Sequence, residues 1–114
     1  MEVNYTYKAR CVSVYDGDTI RADIDLGCTV WIGNEPLRLA GINAPEVRGP
    51  SRPEGIKARD WLRERILGKS IIIQTQRDMK GKYGRFIATI WEPAGGLSIN
   101  DQLVQAGHAV KVQY

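Results

Sequence analysis

Residues 8–26 read KARCVSVYDGDTIRADIDL, and the fold follows from this stretch. Val12 and Val14 alternate with polar residues up to Asp16-Gly17. Beyond that pair Ile20, Ala22, Ile24 and Leu26 alternate with Arg21, Asp23 and Asp25. A period of two on both sides of Asp-Gly is the pattern of a β-hairpin with one core face and one wet face, and glycine accepts the positive φ that tight turns demand. On this parity Cys11 falls on the odd side of its strand and Cys28 on the even side of the next, so no disulfide is expected between them. Two cysteines without metal spacing are also too few for a disulfide scaffold, and both read as buried or half-buried free thiols.

Working outward, Cys28–Trp31 and Leu37–Ile42 are two apolar stretches separated by Gly33-Asn34-Glu35-Pro36, which has the composition of a turn. A third strand is expected to arrive at Gly41. Asn43-Ala44-Pro45-Glu46 stops it, because proline lacks a ladder donor and restricts the residue before it. From Glu54 to Leu67, Ala58, Trp61, Leu62 and Ile66 recur at helical spacing, with Arg59, Arg63 and Glu64 on the opposite face. Gly68 closes this helix. Ile71-Ile72-Ile73 begins a fourth strand and Phe86–Trp91 forms a fifth, joined by the basic turn Met79–Arg85. A last helix starts at Ser98 or Asn100 and ends before Gly107. Three strands, a helix, two strands and a helix, without βαβ alternation, predict an α+β, mainly β chain. The expected form is a five-stranded OB-type Greek-key barrel, with one helix between strands 3 and 4 and a second at the C-terminal end.

The chain has 114 residues, 43% hydrophobic and 25% charged, which is the balance and size of one folded domain spanning residues 1–114. A net charge of +3 and a pI near 9.0 give a modest attraction to polyanions. No run approaches the roughly 18 apolar residues of a membrane span, and residues 1–8 lack a secretory core. The expectation is no membrane partner, and either a cytoplasmic protein or a trimmed secreted one. The localisation itself stays open.

Asp18 shares the parity of Ile20 and Ala22 and so points to the core side, where an unpaired carboxylate would cost several kcal/mol. It needs a cation or hydrogen bonds, although aspartates at such turns also serve simply to stabilise them. Arg38, between Leu37 and Leu39, either faces solvent or holds a guanidinium over a site. Glu46 follows a proline, a rigid position from which a carboxylate can be aimed for acid/base work; a solvated loop glutamate is the alternative. Arg85 reads equally as an exposed hairpin arginine. His108 is the single histidine, read as structural or surface. Trp31, Trp61 and Trp91 fall on core positions. No serine or cysteine has a histidine partner pattern, which disfavours covalent catalysis.

Four segments in order, Val14–Thr19, Arg38–Glu46, Lys82–Arg85 and Asn100–Gly107, resemble the staphylococcal nuclease family over about residues 8–110. The resemblance implies an OB-type barrel and a calcium-dependent endonuclease hydrolysing DNA and RNA with little sequence preference, favouring single-stranded or unstructured substrate. It matches Asp18 to the family's metal-binding aspartate, Arg38 and Arg85 to its phosphate-contacting arginines, and Glu46 to its essential glutamate. Lys82 and Tyr83 match the pair that approaches the nucleotide's phosphate end. The implied ligands of one calcium ion are Asp18, Asn43 through its amide oxygen, the main-chain carbonyl of Ala44, and Glu46 through water. Two departures stand out: Asn43 replaces a second metal-binding aspartate, and Ala44 replaces a threonine. Calcium affinity depends on ligand charge, so weaker metal binding is expected. The family's paired C-terminal tyrosines are also missing at matching spacing, which implies poorer base stacking. The other reading of the same resemblance is a catalytically weak or inactive nuclease-like domain that binds nucleic acid or protein. A monomer is expected in either case.

Overall fold

The computed structural model describes residues 5–80 and 84–112. Strands β1 (Thr6–Asp16), β2 (Thr19–Gly27) and β3 (Val30–Leu39) form a meander. The short β4 (Ile42–Asn43), a 3₁₀ turn at Gly49–Ser51 and helix α1 (Arg52–Ile66) follow. Strands β5 (Ser70–Lys80) and β6 (Phe86–Trp91), helix α2 (Ile99–Gln105) and β7 (Val110–Lys111) complete the chain. The sheet closes in the order β1-β2-β3-β6-β5, with β5 returning to β1 and β3 running parallel to β6. This is the five-stranded, mainly β barrel read from the sequence, with α1 between its third and fourth barrel strands. The added pair β4–β7 lies outside it. No helix among the described residues is long and apolar enough to cross a membrane.

Two bulges correct the simple alternation in β1. Cys11 pairs with Ala22 and Ser13 with Arg21, so Val12 is an extra residue. Val14 pairs with Ile20 and Asp16 with Thr19, so Tyr15 is another. The first extra residue shifts the parity of the buried positions that follow, from Ala9 and Cys11 to Val14 and Asp16. Ala9, Cys11 and Val14 are therefore buried, while Val12 and Tyr15 turn out to solvent.

The second correction concerns β3. Gly33-Asn34-Glu35-Pro36 is not a turn but part of the strand, which carries one extra residue opposite Ala22–Ile24. Asn34 takes a φ of 54° there. Its N–H donates to Asp23 Oδ1, and its carbonyl accepts from Arg21 Nη1, both at 2.8 Å. The chain instead reverses at Cys28-Thr29, both with positive φ, as a two-residue hairpin loop of the twist-matching type requires. Cys28 is consequently exposed rather than half-buried, and Trp31 beside it is 55% exposed rather than a core residue.

The barrel interior holds Ile20, Leu37, Leu39, Ile71, Ile73 and Ile90, with Leu62 and Ile66 of α1 and Ile99 and Leu103 of α2 packed into the same cluster. Ser98 caps α2 by accepting from Asp101 N–H. Asn100 locks α2 to the barrel: its Oδ1 accepts from Ile90 N–H, and its amide donates to the carbonyls of Ala40 and Ala88. Trp61 packs against His108, with Arg65 stacked 4.6 Å over its ring.

Cys11 and Cys28 are both free, and burial pushes the Cys11 thiol up to about 11. Because the thiolate is the reactive form, iodoacetamide near neutral pH is expected to label one cysteine, Cys28, in the folded protein and both in denaturant. Mass spectrometry of the labelled protein checks this, and two rapid labels under native conditions would contradict the packing of β1.

Candidate active site

The β1–β2 reversal uses Gly17-Asp18, one residue later than the Asp-Gly pair suggests. Glycine stands there for space rather than for a positive φ. A Cβ on Gly17 would lie 2.8 Å from the Ala44 Cβ and 2.9 Å from the Ala58 Cβ. The hairpin tip is thus pressed between the loop after β4 and helix α1.

Asp18, next in the chain, is 6% exposed. Its Oδ2 accepts the Ala44 N–H at 2.8 Å and lies 3.3 Å from Arg38 Nη2. Its Oδ1 accepts from the Thr19 hydroxyl, which in turn accepts from Arg85 Nη1 at 3.3 Å. Arg38 fixes its other arm by donating to the Leu39 carbonyl, and its Nη2 also reaches Asn43 Oδ1 at 3.4 Å. Barrel closure supplies this convergence: Thr19 pairs with Arg38 across β2–β3, and Arg38 with Ile87 across β3–β6, which brings the start of β6 to the same rim. Asp18, Arg38, Asn43, Ala44 and Arg85 therefore come together at one rim of the barrel.

Glu46 stands apart from that knot. It is exposed and lines a notch of about 180 Å³ with Tyr15, Asp16, Val47 and Arg48. Its main-chain carbonyl accepts from the Ser51 hydroxyl. Lys82 and Tyr83 lie outside the described residues.

Asp16 is the residue that the sequence reading passed over. It is 8% exposed, and its Oδ1 accepts the Asp18 N–H at 3.1 Å. Burial, followed by the neighbouring Asp18 carboxyl, raises its own carboxyl to about 6. Two carboxylates thus share one buried corner. The signal was present in the sequence, since Asp16 has the parity of Val14.

Among the described residues no three His, Cys, Asp or Glu side chains group as a metal site. The oxygen donors at hand still suit a hard cation. Arg38 Nη2 already sits between Asp18 Oδ2 and Asn43 Oδ1, so these two oxygens face a positive charge as the molecule stands.

Residues 36–114 match the family model described as staphylococcal nuclease homologue. The chain belongs to the staphylococcal nuclease family. Within that family it is 31% identical to a thermonuclease of Staphylococcus hyicus over 108 residues, covering 91% of this chain and 57% of that protein. It is also 31% identical to the thermonuclease of Staphylococcus intermedius, over 84% of this chain and 54% of the relative. Endonuclease Htp3 of Saprolegnia parasitica is 27% identical over 91% of this chain and 55% of its own length. The chain thus spans little more than half the length of these family members.

Gly55 couples α1 to the loop that carries Glu46. A Cβ at Gly55 would fall inside the Glu46 carbonyl and 2.8 Å from Val47 N. Within a helix, glycine to alanine ordinarily gains about 0.5–1 kcal/mol. Here the obstacle is backbone, and Gly55→Ala is expected to lose about 1–3 kcal/mol instead. Urea unfolding measures the sign, and a gain would mean that the Glu46 loop yields freely.

Proposed function

We propose that the protein is a nuclease that hydrolyses phosphodiester bonds in DNA and RNA, preferring single-stranded or unstructured substrate, with calcium as its metal. The observation that carries this reading is the convergence of Arg38 and Arg85 on the Asp18–Thr19 corner, one loop away from the exposed carboxylate of Glu46. The family relatives named thermonuclease and endonuclease support the same reading.

In this proposal Arg38 and Arg85 grip the phosphate with planar donor forks, and their hydrogen bonds strengthen as negative charge grows on the phosphoryl oxygens in the transition state. Lysine would replace neither well, because it lacks the fork. Glu46 accepts the proton of the attacking water as its oxygen bonds to phosphorus. The bond from phosphorus to the leaving oxygen breaks, and that oxygen takes up a proton from solvent. Lys82 and Tyr83 approach the phosphate end of the nucleotide. Asp18, the Asn43 amide oxygen and the Ala44 carbonyl would hold calcium, with Glu46 reaching it through water. Bound there, calcium supplies positive charge against the phosphate.

Asn43 supports a second reading, a nucleic-acid or protein binding module with weak or no turnover, because it brings an oxygen to the site but no charge. Retention of Arg38, Glu46 and Arg85 favours the enzyme.

Release of acid-soluble nucleotides from denatured DNA separates the two readings. Calcium-stimulated release that chelator abolishes is the expected result, and binding without release at millimolar calcium would favour the module. Glu46→Gln is expected to lower the rate by roughly a hundredfold or more, in line with the usual contribution of a general base, while thermal unfolding stays unchanged. Asn43→Asp should tighten calcium binding by about tenfold through the added ligand charge, as read by titration calorimetry. An unchanged affinity would remove Asn43 from the metal.

A further inference from the structure

Beside the Asp18 corner runs a cleft of about 640 Å³ whose lining, apart from Arg85 and Thr19 at its end, the catalytic reading does not use. One wall is the β1–β2 hairpin with Tyr15 and Arg21, the other is helix α1 with Arg59 and Arg63, and Arg85 and Val47 also line it. Four arginines thus border the cleft, and its lining contains no carboxylate. The cleft is continuous in its walls with the Glu46 notch, because Tyr15 and Val47 line both.

The arginines are held in place from behind. Arg63 donates through Nε and Nη2 to the Val14 carbonyl, at 3.3 and 3.1 Å. Arg21 donates through Nη1 to the Asn34 carbonyl. Arg59 leans on Asp60 of its own helix, an exposed pairing that a stronger anion can replace at little cost. Guanidiniums anchored to main-chain carbonyls keep their charge and some of their donors for a ligand, since each guanidinium has five N–H groups. Between them the second β1 bulge turns Tyr15 outward, 52% exposed, at the junction of cleft and notch. Alternating cations and an aromatic face along one groove are the features by which a protein holds a single nucleic-acid strand.

We propose that this cleft is the track for the strand adjoining the scissile phosphate, with its phosphates on Arg21, Arg59 and Arg63 and one base stacked on Tyr15. The assignment rests on the nuclease reading for its direction, since Arg85 belongs both to the track and to the phosphate grip. It also gives the chain a stacking surface of its own on the hairpin. Helix α1 then has two faces with separate tasks: Ala58, Leu62 and Ile66 seal the barrel, and Arg59 and Arg63 carry the strand.

Binding without turnover tests the track independently of catalysis. Fluorescence anisotropy with labelled dT12 is read in chelator over a salt series, for the parent, Arg59→Gln/Arg63→Gln, Arg21→Gln, Tyr15→Ala and Tyr15→Phe. Lys8→Gln/Arg10→Gln removes two exposed charges elsewhere on β1 as a control, and thermal unfolding is followed for every variant. The α1 double variant is expected to lower the salt slope by about 0.7 for each phosphate that it leaves without a cation. Arg21→Gln, which leaves the helix intact, should lower it by one such step. Tyr15→Ala should weaken binding roughly tenfold, with most of it restored in Tyr15→Phe, because the ring face rather than the hydroxyl does the stacking. Effects as large in the Lys8/Arg10 control, or unchanged slopes in both folded arginine variants, would overturn the track. A parent that binds with this pattern but releases no nucleotide in calcium would overturn the nuclease reading and leave the track standing.

Discussion

A buried carboxylate sets the terms for this end of the barrel. Asp18 sits at the tip of the first hairpin with almost no exposure, where an uncompensated charge would cost several kcal/mol. Its compensation comes from distant parts of the chain. The Ala44 amide is 26 positions on, Arg38 belongs to β3, and Thr19 links it to Arg85 just before β6. The main chain adds to this, since Leu39 N–H donates to the Asp18 carbonyl. Satisfying one carboxylate therefore draws the hairpin, the end of β3, the loop after β4 and the entry to β6 to a common point. The groups that would handle a phosphate are gathered by the same requirement that closes the fold.

Small residues let helix α1 share that point. Gly17 touches Ala44 and Ala58, and Gly55 lies against the Glu46 main chain. Any side chain at either glycine would push helix, hairpin and the Glu46 loop apart. The helix thus bears on the Glu46 main chain through Gly55. Placement through backbone contact is stiff, because a peptide unit has fewer ways to move aside than a long side chain does. A loop glutamate held in this way keeps its carboxylate exposed.

The sequence made the element order and most of the site legible, because both rest on local pattern or on motif order. Alternation in residues 20–26 located β2, helical spacing of Ala58, Leu62 and Ile66 located α1, and four ordered motifs gathered Asp18, Arg38, Asn43 and Arg85. What stayed hidden is non-local. The bulges in β1 depend on what β2 can pair with, so alternation misassigned Val12. Gly33–Pro36 has turn composition, yet Asp23 and Arg21 across the ladder hold Asn34 in its unusual backbone conformation and keep the strand continuous. Gly17 looked like a turn glycine, whereas its real constraint is steric and comes from residues 44 and 58. Asp16 looked like a turn aspartate although it shares the parity of Val14, because its buried neighbour Asp18 is brought beside it only by the turn itself.

That second carboxylate bears on what Arg38 can do. Asp16 and Asp18 are bonded neighbours, and burial together with Asp18 raises the Asp16 carboxyl. Arg38 is committed to this corner through Nη2, which faces both Asp18 and Asn43, and through Nη1, which holds the Leu39 carbonyl. A guanidinium so engaged is well oriented, but part of its field is spent on Asp18 rather than on a phosphate. Were a negative side chain at position 43, Arg38 Nη2 would face two carboxylates, and a divalent cation would be the natural balance. With asparagine there the corner carries less negative charge, and Arg38 can satisfy more of it. On the nuclease reading, Asn43 thus shifts the balance between guanidinium and metal at one corner. The backbone positions of Arg38 and Arg85 do not depend on that side chain, since they are set by strand pairing.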